Sequence, residues 1–210
     1  MSVKKLKTKN TRTKKRAKKT RSKLKQAALD VFSEKSFDAA TVEEITEKAD
    51  VGKGTLYQHF EDKEQIVITL IHEAIEHLIV RIRSFKKQPK SLEKMLEHLF
   101  NAHYEFYMNA KEEFLLLFQG KLSLKFQSEN PDEFKESYLR YLTEIESQIS
   151  SYLSSKIKSV KVRQLACAVA GFIFGYFSFS MISMNANEIE ISIKPLRKVY
   201  VTSLRTFLER

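Results

Sequence analysis

The chain has 210 residues, of which 42% are apolar and fifteen are Phe, so it can bury a sizeable core. Five Gly and three Pro favour long helices over a many-turned β architecture, and a single cysteine excludes an internal disulfide framework and fits a reducing compartment such as the cytoplasm. The net charge of +11 is concentrated at the N-terminus, where residues 1–29 contain thirteen Lys and Arg and no acidic residue.

The remaining residues carry 24 Lys and Arg and 26 Asp and Glu, a net charge of −2, so the basic character belongs to one segment. We expect residues 1–19 to form a disordered arm that binds polyanions, because a block of like charges repels itself and stays solvated. A solubility tail is the alternative. A membrane-surface segment fits less well, because such a segment needs interleaved large apolar residues, and between Met1 and Ser22 the sequence offers only Val3 and Leu6. No apolar signal segment is expected at this end.

The first predicted elements are three helices, of which two are short. Apolar residues at i, i+4, i+7 and i+8 from Leu24 predict an amphipathic helix. Thr41, followed three residues later by Glu44, predicts the capping box of a second helix of about eight residues. A turn at 50–52 leads into a third helix over 53–60. Two short helices joined by a tight turn are typical of a helix-turn-helix, whose second helix lies in the DNA major groove.

The turn contains Gly52-Lys53-Gly54-Thr55, which resembles part of a nucleotide-binding loop. A P-loop requires glycine five residues before its lysine-preceding glycine and a hydroxyl directly after the lysine. Glu47 and Gly54 occupy those two positions, so this segment is not expected to bind a nucleotide.

The third helix turns polar side chains outward. Hydroxyl and phenol groups can bind phosphates, Gln can pair with adenine through two hydrogen bonds, and His can donate or accept a hydrogen bond at a base edge. Helix N-termini also attract phosphate. These arguments single out Thr55, Tyr57, Gln58 and His59 in the third helix, and Thr41 and Lys63 at the starts of two others.

Six further helices are predicted beyond the motif. Asp62 caps a long fourth helix that runs to near Pro89, and Pro195 is expected to open the last one. The apolar spacing predicts the other helices over 92–110, 112–126, 131–156 and 165–184. The sequence therefore indicates an all-α fold of about nine helices.

Residues 20–70 resemble the TetR family of transcriptional regulators. The resemblance depends on Thr41-Val-Glu-Glu-Ile45, on Ala49, on residues 51–60 (VGKGTLYQHF) and on Lys63-Glu64. The chain departs from the family at the turn, where Asp50 and Gly52 replace the usual glycine and serine. Aspartate tolerates left-handed geometry, and glycine is an N-cap only slightly weaker than serine.

This resemblance implies a homodimer that binds a double-stranded DNA operator. It implies a basic arm over 1–19, a helix-turn-helix DNA-binding domain over 20–65 and a helical effector-binding and dimerisation domain over 66–210. Phosphate contacts are implied for Thr41, Tyr57 and Lys63, and base-edge contacts for Lys53, Thr55, Gln58 and His59. By analogy with homeodomain arms, which lay Arg into the minor groove, Arg12, Arg16 and Arg21 are candidates for minor-groove contacts. The candidate DNA-binding residues are Arg21, Thr41, Lys53, Gly54, Thr55, Tyr57, Gln58, His59 and Lys63.

Residues 165–184 carry no charge and contain the spacing G-x-x-x-G at Gly171 and Gly175. Taken alone, this pattern is typical of a transmembrane helix that dimerises. An entirely apolar helix is also what a large core or a dimer bundle buries. Because the resemblance implies a dimer interface built from the last two long helices, the candidate interface residues are Gly171, Gly175, Ser178 and Tyr200.

Aromatic residues concentrate beyond residue 84. Most are expected to fill the core, but the resemblance implies an effector pocket among the middle helices. Aromatic walls suit a small apolar or amphipathic ligand. The candidate pocket residues are Tyr104, Tyr107, Phe118, Tyr138 and Phe172.

No catalytic activity, cofactor or metal is expected. His72 and His77 are five residues apart, as are His98 and His103, and this spacing puts them on different faces of a helix, so neither pair can chelate one zinc ion. The resulting hypothesis is a cytoplasmic repressor that a small apolar or amphipathic ligand releases from its operator. A membrane-anchored DNA-binding protein and a non-specific nucleoid-type DNA binder remain as alternatives.

Overall fold

The computed structural model describes residues 3–35, 37–118, 131–154 and 157–209. Within these ranges the chain forms nine helices and no strand, as the sequence predicted. The helices are α1 (Val3–Glu34), α2 (Val42–Lys48), α3 (Lys53–Tyr57), α4 (Lys63–Arg83), α5 (Leu92–Asn109), α6 (111–118), α7 (Pro131–Ser150), α8 (Ser159–Ser183) and α9 (Ala186–Glu209).

The basic N-terminal segment is helical in the structure, whereas the sequence predicted a disordered arm over 1–19. The helix α1 begins at Val3 and continues without interruption to Glu34. Lys, Arg and Ala all have high helix propensity, and α1 contains neither Gly nor Pro to end the helix early. The buried face that starts at Leu24 anchors the other half of the same helix. Residues 13–19 are exposed on every side and project from the core.

The last helix begins nine residues before the predicted start at Pro195. The side chain of Asn185 accepts a hydrogen bond from the Glu188 N–H (3.1 Å), and the Glu188 carboxylate accepts one from the Asn185 N–H (2.8 Å). This capping box fixes the start of α9 at Ala186. Pro195 therefore lies inside the helix, where its ring removes one backbone donor without ending the helix.

Two other boundaries also differ from the prediction. The helix α7 ends at Ser150 rather than near residue 156. The predicted helix over 112–126 corresponds to α6, and its portion beyond residue 118 lies outside the described residues.

The first four helices share a small core. Leu24, Phe32, Ile45, Leu56 and Phe60 are all 2% exposed or less, so the face predicted for each helix is the face that it buries. Neither α2 nor α3 is long enough to be stable alone, and each gains its stability from this packing. We refer to α1–α3 as the head.

The long helix α4 connects the head to the rest of the chain. It contacts α1, α5 and α7, and Lys25 of α1 pairs with Glu73 in the middle of α4 at 2.5 Å. The other helices form the body, in which α7 packs on α8 and α8 packs on α9. The helix α4 is therefore the element that joins the head to the body.

Candidate DNA interface and effector cluster

The turn between α2 and α3 depends on a left-handed residue. Asp50 has φ 52°, and its N–H donates to the Glu47 carbonyl while the Val51 N–H donates to the Thr46 carbonyl, both at 3.0 Å. This hydrogen-bonding pattern ends a helix and reverses the chain within a few residues. It fixes the angle between α2 and α3, and therefore which side chains of α3 face the solvent.

The start of α2 is fixed by the capping box that the sequence predicted. The Thr41 hydroxyl accepts from the Glu44 N–H (3.2 Å), and the Glu44 carboxylate accepts from the Thr41 N–H (3.0 Å). Thr41 is exposed. Its hydroxyl hydrogen is available to a phosphate oxygen at this helix N-terminus.

The helix α3 buries one side and exposes the other. Leu56 is completely buried, whereas Lys53, Gly54, Tyr57 and Gln58 are exposed. Tyr57 is 55% exposed, a large value for an aromatic side chain on the surface of a small packed unit. The predicted DNA-facing residue Thr55 is half-buried. An exposed phenol beside an exposed amide and a lysine is a surface suited to phosphates and base edges.

An ion pair joins the starts of α2 and α3. The Lys53 ammonium contacts the Glu43 carboxylate, and this hydrogen bond holds the pKa of Glu43 below its ordinary value. In this arrangement Glu43 competes with any phosphate for Lys53.

We predict that Glu43→Gln strengthens binding to duplex DNA by about fivefold at low salt, because it frees Lys53 and removes a negative charge from the surface. Fluorescence anisotropy with a labelled duplex measures the change. The same substitution in a Lys53→Ala background is the control, and there the gain should shrink. An equal gain in both backgrounds would mean that Glu43 does not act through Lys53.

Three predicted DNA-binding residues make contacts inside the head. The Lys63 ammonium donates to the Phe37 and Ala40 carbonyls (2.7 and 2.8 Å), which ties the α1–α2 connection to α4. The Arg21 guanidinium donates to the His59 carbonyl (2.5 Å) and lies 4.1 Å from the centroid of the Phe60 ring. His59 itself is half-buried. Residue types alone do not reveal these contacts, because the acceptors are backbone carbonyls.

Comparison with known proteins agrees with this geometry. The model of the tetR family of bacterial regulatory proteins matches residues 24–70, the segment that contains α2, α3 and the turn between them. The FadR regulator of Bacillus subtilis, solved in complex with stearoyl-CoA, superposes with a TM-score of 0.70 at 19% identity over 87% of this chain and 96% of that one. Over residues 24–70 the chain matches the TetR family, as the sequence predicted.

Curated HTH-type transcriptional regulators that resemble the chain differ in how much of their length it matches. The activator FasR of Mycolicibacterium smegmatis is 26% identical over 94 residues, which is 45% of this chain and 43% of FasR. The negative regulator of the biofilm operon icaADBC, IcaR of Staphylococcus aureus, is 22% identical over 189 residues, 87% of this chain and 96% of IcaR. The chain thus spans less than half of the first relative and nearly all of the second.

The body of the chain contains a connected group of rings that we call the aromatic cluster. Its centre is Phe177 of α8, whose ring stacks on Tyr107 (4.5 Å between centroids) and on Tyr104 (5.8 Å). Phe114 stacks on Phe174 at 5.0 Å and connects α6 to the same group. The cluster consists of Phe100, Tyr104, Tyr107, Phe114, Tyr141, Phe172, Phe174, Tyr176, Phe177 and Tyr200.

The structure distributes the predicted pocket residues unevenly. Tyr104, Tyr107 and Phe172 belong to the aromatic cluster. The Tyr138 hydroxyl instead donates to the Leu117 carbonyl (2.7 Å), and Phe118 is half-buried at the end of α6. Their role in binding an effector stays a prediction.

Two surface cavities lie outside the aromatic cluster. One, of about 410 Å³, lies between the head, α4 and α7. The polar residues that line it include Arg21, His59, His72 and Arg140. The other is an open groove of about 730 Å³ between the start of α8 and the end of α9.

A buried histidine adjoins the aromatic cluster. His103 is 1% exposed, its Nδ1 donates to the Leu99 carbonyl (2.6 Å), and its Nε2 accepts from the Tyr141 hydroxyl (2.6 Å). These two bonds fit the neutral ring with its hydrogen on Nδ1. Burial lowers the pKa of His103 to about 4, so the ring is neutral near pH 7.

This histidine should make stability depend on pH. Its pKa is lower in the folded chain than in the unfolded one, so the unfolded state binds more protons between about pH 4 and pH 6.5 and stability falls as the pH drops through that window. We expect His103 to account for a loss of about 2 kcal/mol in unfolding free energy between pH 7 and pH 5. Urea titrations of the wild type and of His103→Gln at about pH 7 and about pH 5 measure this loss of unfolding free energy. Equal losses in the two proteins would contradict its attribution to His103.

One face of α8 is apolar and exposed. Gly171 and Gly175 lie on it with no atom within 4 Å of where a Cβ would stand, and Phe179 and Ile182 continue it at 72% and 84% exposure. In α9, Ile191 and Val199 are also exposed. Large exposed apolar surfaces of this kind mark contact sites.

Two of the predicted interface residues need correction. Tyr200 is completely buried within the protomer, and Ser178 is 5% exposed with its hydroxyl donating to the Phe174 carbonyl. Both lie on the inner faces of their helices, because the apolar patterns of α8 and α9 alone do not distinguish the side that faces the body from the side that faces outward. They contribute to the core of the protomer.

Among the described helices, α8 is the one that meets the length and hydropathy of a membrane span. About 44% of its apolar window is buried against the rest of the chain, and the core helix of a globular protein meets the same criteria. In the part of the chain that the structure describes, no three His, Cys, Asp or Glu side chains cluster in a way that could hold a metal ion.

Proposed function

We propose that this TetR-family chain is a dimeric, cytoplasmic repressor that binds an operator through the recognition helix α3 and leaves it when a fatty-acyl ligand binds in the body. The observation that carries the proposal is the exposed polar face of α3, with Lys53, Tyr57 and Gln58, on a helix-turn-helix fixed by the Thr41 capping box and the Asp50 turn. That surface has the groups needed for phosphates and base edges.

The apolar faces of α8 and α9 support dimerisation. Gly171 and Gly175 would allow a partner helix to approach closely, and Phe179 and Ile182 would lose their exposure to water in the contact. A two-fold dimer presents two recognition helices to successive major grooves, which predicts half-sites about 34–36 Å apart.

Two observations support the proposed ligand class: the ligand of a structural neighbour and the aromatic cluster of this chain. The B. subtilis FadR structure contains stearoyl-CoA, and the body of this chain offers a group of apolar rings of the kind that lines ligand sites. IcaR is a negative regulator, and nearly its whole length matches this chain, which supports a role in repression. In this scheme the ligand binds more tightly to a state in which the two heads no longer match the half-sites.

The transmission path would run through α4. This helix packs on α1 in the head and on α5 and α7 in the body. Arg83 of α4 pairs with Glu144 of α7 at 2.6 Å, and the Glu144 carboxylate is almost buried, so this end of α4 is tightly held by the body. A ligand that moves α7 would therefore displace α4 and with it the head.

Selection of bound fragments from genomic DNA tests the proposal. We expect the purified protein, at physiological salt with competitor DNA, to enrich a few fragments that share an inverted repeat, and stearoyl-CoA to release them while coenzyme A alone does not. Even enrichment across the genome would instead identify a non-specific DNA binder. Release by coenzyme A alone would contradict the acyl ligand.

A further inference from the structure

The aromatic cluster contains one polar group that the fold does not satisfy. Three buried side-chain atoms lack a hydrogen-bond partner among the described residues: Arg81 Nε, Arg163 Nη1 and the Tyr200 hydroxyl. Both arginine side chains reach solvent in part, whereas Tyr200 is completely buried. An unpaired buried hydroxyl is destabilising, because it has lost its hydrogen bonds to water and gained none in return.

Apolar rings pack against the Tyr200 ring, and the hydrogen-bonded pair of Tyr141 and neutral His103 lies in the same region. The Tyr200 ring lies 5.3 Å from Phe100 and 5.3 Å from Phe172, between α5 and α8. Burial, and next the neighbouring Tyr200, raise the pKa of Tyr141, which places the two phenols in one region. The Tyr141 hydroxyl is already committed to His103 Nε2, so it cannot also donate to Tyr200.

The unused donor defines a chemical requirement. Tyr200 can donate one hydrogen bond, and the rings around it offer contact to a flat or extended apolar body. Phe100 and Phe172, whose rings pack against Tyr200, offer no charge to pair with a carboxylate, and burial in apolar surroundings penalises an unpaired charge. A neutral carbonyl accepts the hydrogen bond without that penalty.

We propose that the Tyr200 hydroxyl is the hydrogen-bond donor of a ligand site within the aromatic cluster, and that it binds the neutral carbonyl of an acyl or aryl compound in preference to a free carboxylic acid. This inference rests on the proposed function, in which a ligand binds in the body. It adds that Tyr200 anchors the ligand and that the ligand group at this position is neutral. Tyr104, Phe172 and Phe174 are only half-buried, so the cluster reaches the surface on that side, where a ligand would enter by displacing these rings.

Binding of three small probes to the full-length protein, without DNA, tests the inference. Acetophenone and ethylbenzene differ in one carbonyl, and benzoate carries the charged group. We expect the wild type to bind acetophenone about tenfold more tightly than ethylbenzene and benzoate most weakly, as one new hydrogen bond to an otherwise unpaired donor requires. In Tyr200→Phe the preference for acetophenone over ethylbenzene should disappear.

Thermal unfolding supplies an independent readout with a matched control. Tyr200→Phe removes an unpaired hydroxyl and should melt about 2–4 °C above the wild type. Tyr141→Phe removes the donor to His103 and should melt below it. A lowered melting temperature for Tyr200→Phe would show that a buried water or another group already satisfies the hydroxyl, and would overturn the inference.

A wild type that binds neither probe, or that binds ethylbenzene as tightly as acetophenone, would also overturn it, as would a Tyr200→Phe chain that keeps the preference. None of these results bears on operator selection, which uses the ligand-free protein. A failure of the carbonyl site is therefore distinguishable from a failure of the proposed DNA-binding function.

Discussion

The affinity of the full-length protein for duplex DNA is expected to fall about a thousandfold or more between 50 and 200 mM salt. Residues 1–29 contain thirteen basic residues and no acid, and within them residues 13–19 form an exposed stretch of α1. If about six phosphates are neutralised by each head, counterion release gives a salt dependence of this size. Anisotropy titrations at several salt concentrations, with an operator and a scrambled duplex, measure it.

Deleting residues 1–19 should weaken binding to both duplexes and flatten the salt dependence while leaving the ratio between them nearly unchanged. Replacing Lys14, Lys15, Lys18 and Lys19 with Gln is the matched control, because it removes charge and keeps the length of α1. Loss of the operator preference in the deleted chain would contradict the view that the N-terminal segment adds affinity for any duplex and leaves sequence preference to α3. Such a result would favour a nucleoid-type binder led by its N-terminal segment.

The substitution Phe177→Ala is expected to lower the free energy of unfolding by about 4 kcal/mol. Phe177 is completely buried and contacts the rings of Phe100, Tyr104, Tyr107 and Phe114, so its removal leaves a cavity that the flat neighbouring rings cannot fill. Urea unfolding followed by circular dichroism measures the loss. The aromatic cluster also connects α5, α6 and α8, and a weakened cluster should loosen all three.

Phe179→Ala is the control, since Phe179 lies two residues further along the same helix and is 72% exposed. This variant should leave the unfolding of the dilute protomer nearly unchanged and should weaken dimerisation, so its effect grows with protein concentration. Equal, concentration-independent losses for the two variants would contradict the assignment of an inner and an outer face to α8.

Features encoded by local sequence could be predicted. The capping box at Thr41, the cap at Asp62 and the buried faces of the head depend on residues within one or two turns of each other, and the structure confirms them. The left-handed turn at Asp50 follows the same principle, because a short polar side chain tolerates that backbone geometry.

Features that depend on competing local signals were predicted wrongly. Pro195 is a plausible first-turn residue, but the capping box formed by Asn185 and Glu188 is a stronger start signal and lies nine residues earlier. In α1, like charges argue for disorder and helix propensity argues for a helix. The structure continues the helix to Val3, where propensity and the anchored half of α1 outweigh repulsion.

Features that depend on distant contacts could not be predicted from sequence. Tyr200 and Ser178 were expected at the dimer surface, but packing of α9 against α5 and of α8 against α7 turns them inward. The backbone acceptors of Lys63 and Arg21 lie 23 to 38 residues away along the chain, and no spacing rule identifies them. The same limit hides the unpaired Tyr200 hydroxyl, which only the folded body reveals.

The central claim is that α3 reads DNA sequence. The most direct test compares the wild type with Tyr57→Ala/Gln58→Ala, whose altered side chains are exposed and do not contribute to the core. The measured quantity is the ratio of dissociation constants for a scrambled duplex and a selected operator at one salt concentration. We predict a ratio of about a thousand or more for the wild type and less than about ten for the variant. An unchanged ratio in a folded variant would contradict the assignment of α3 as the recognition helix.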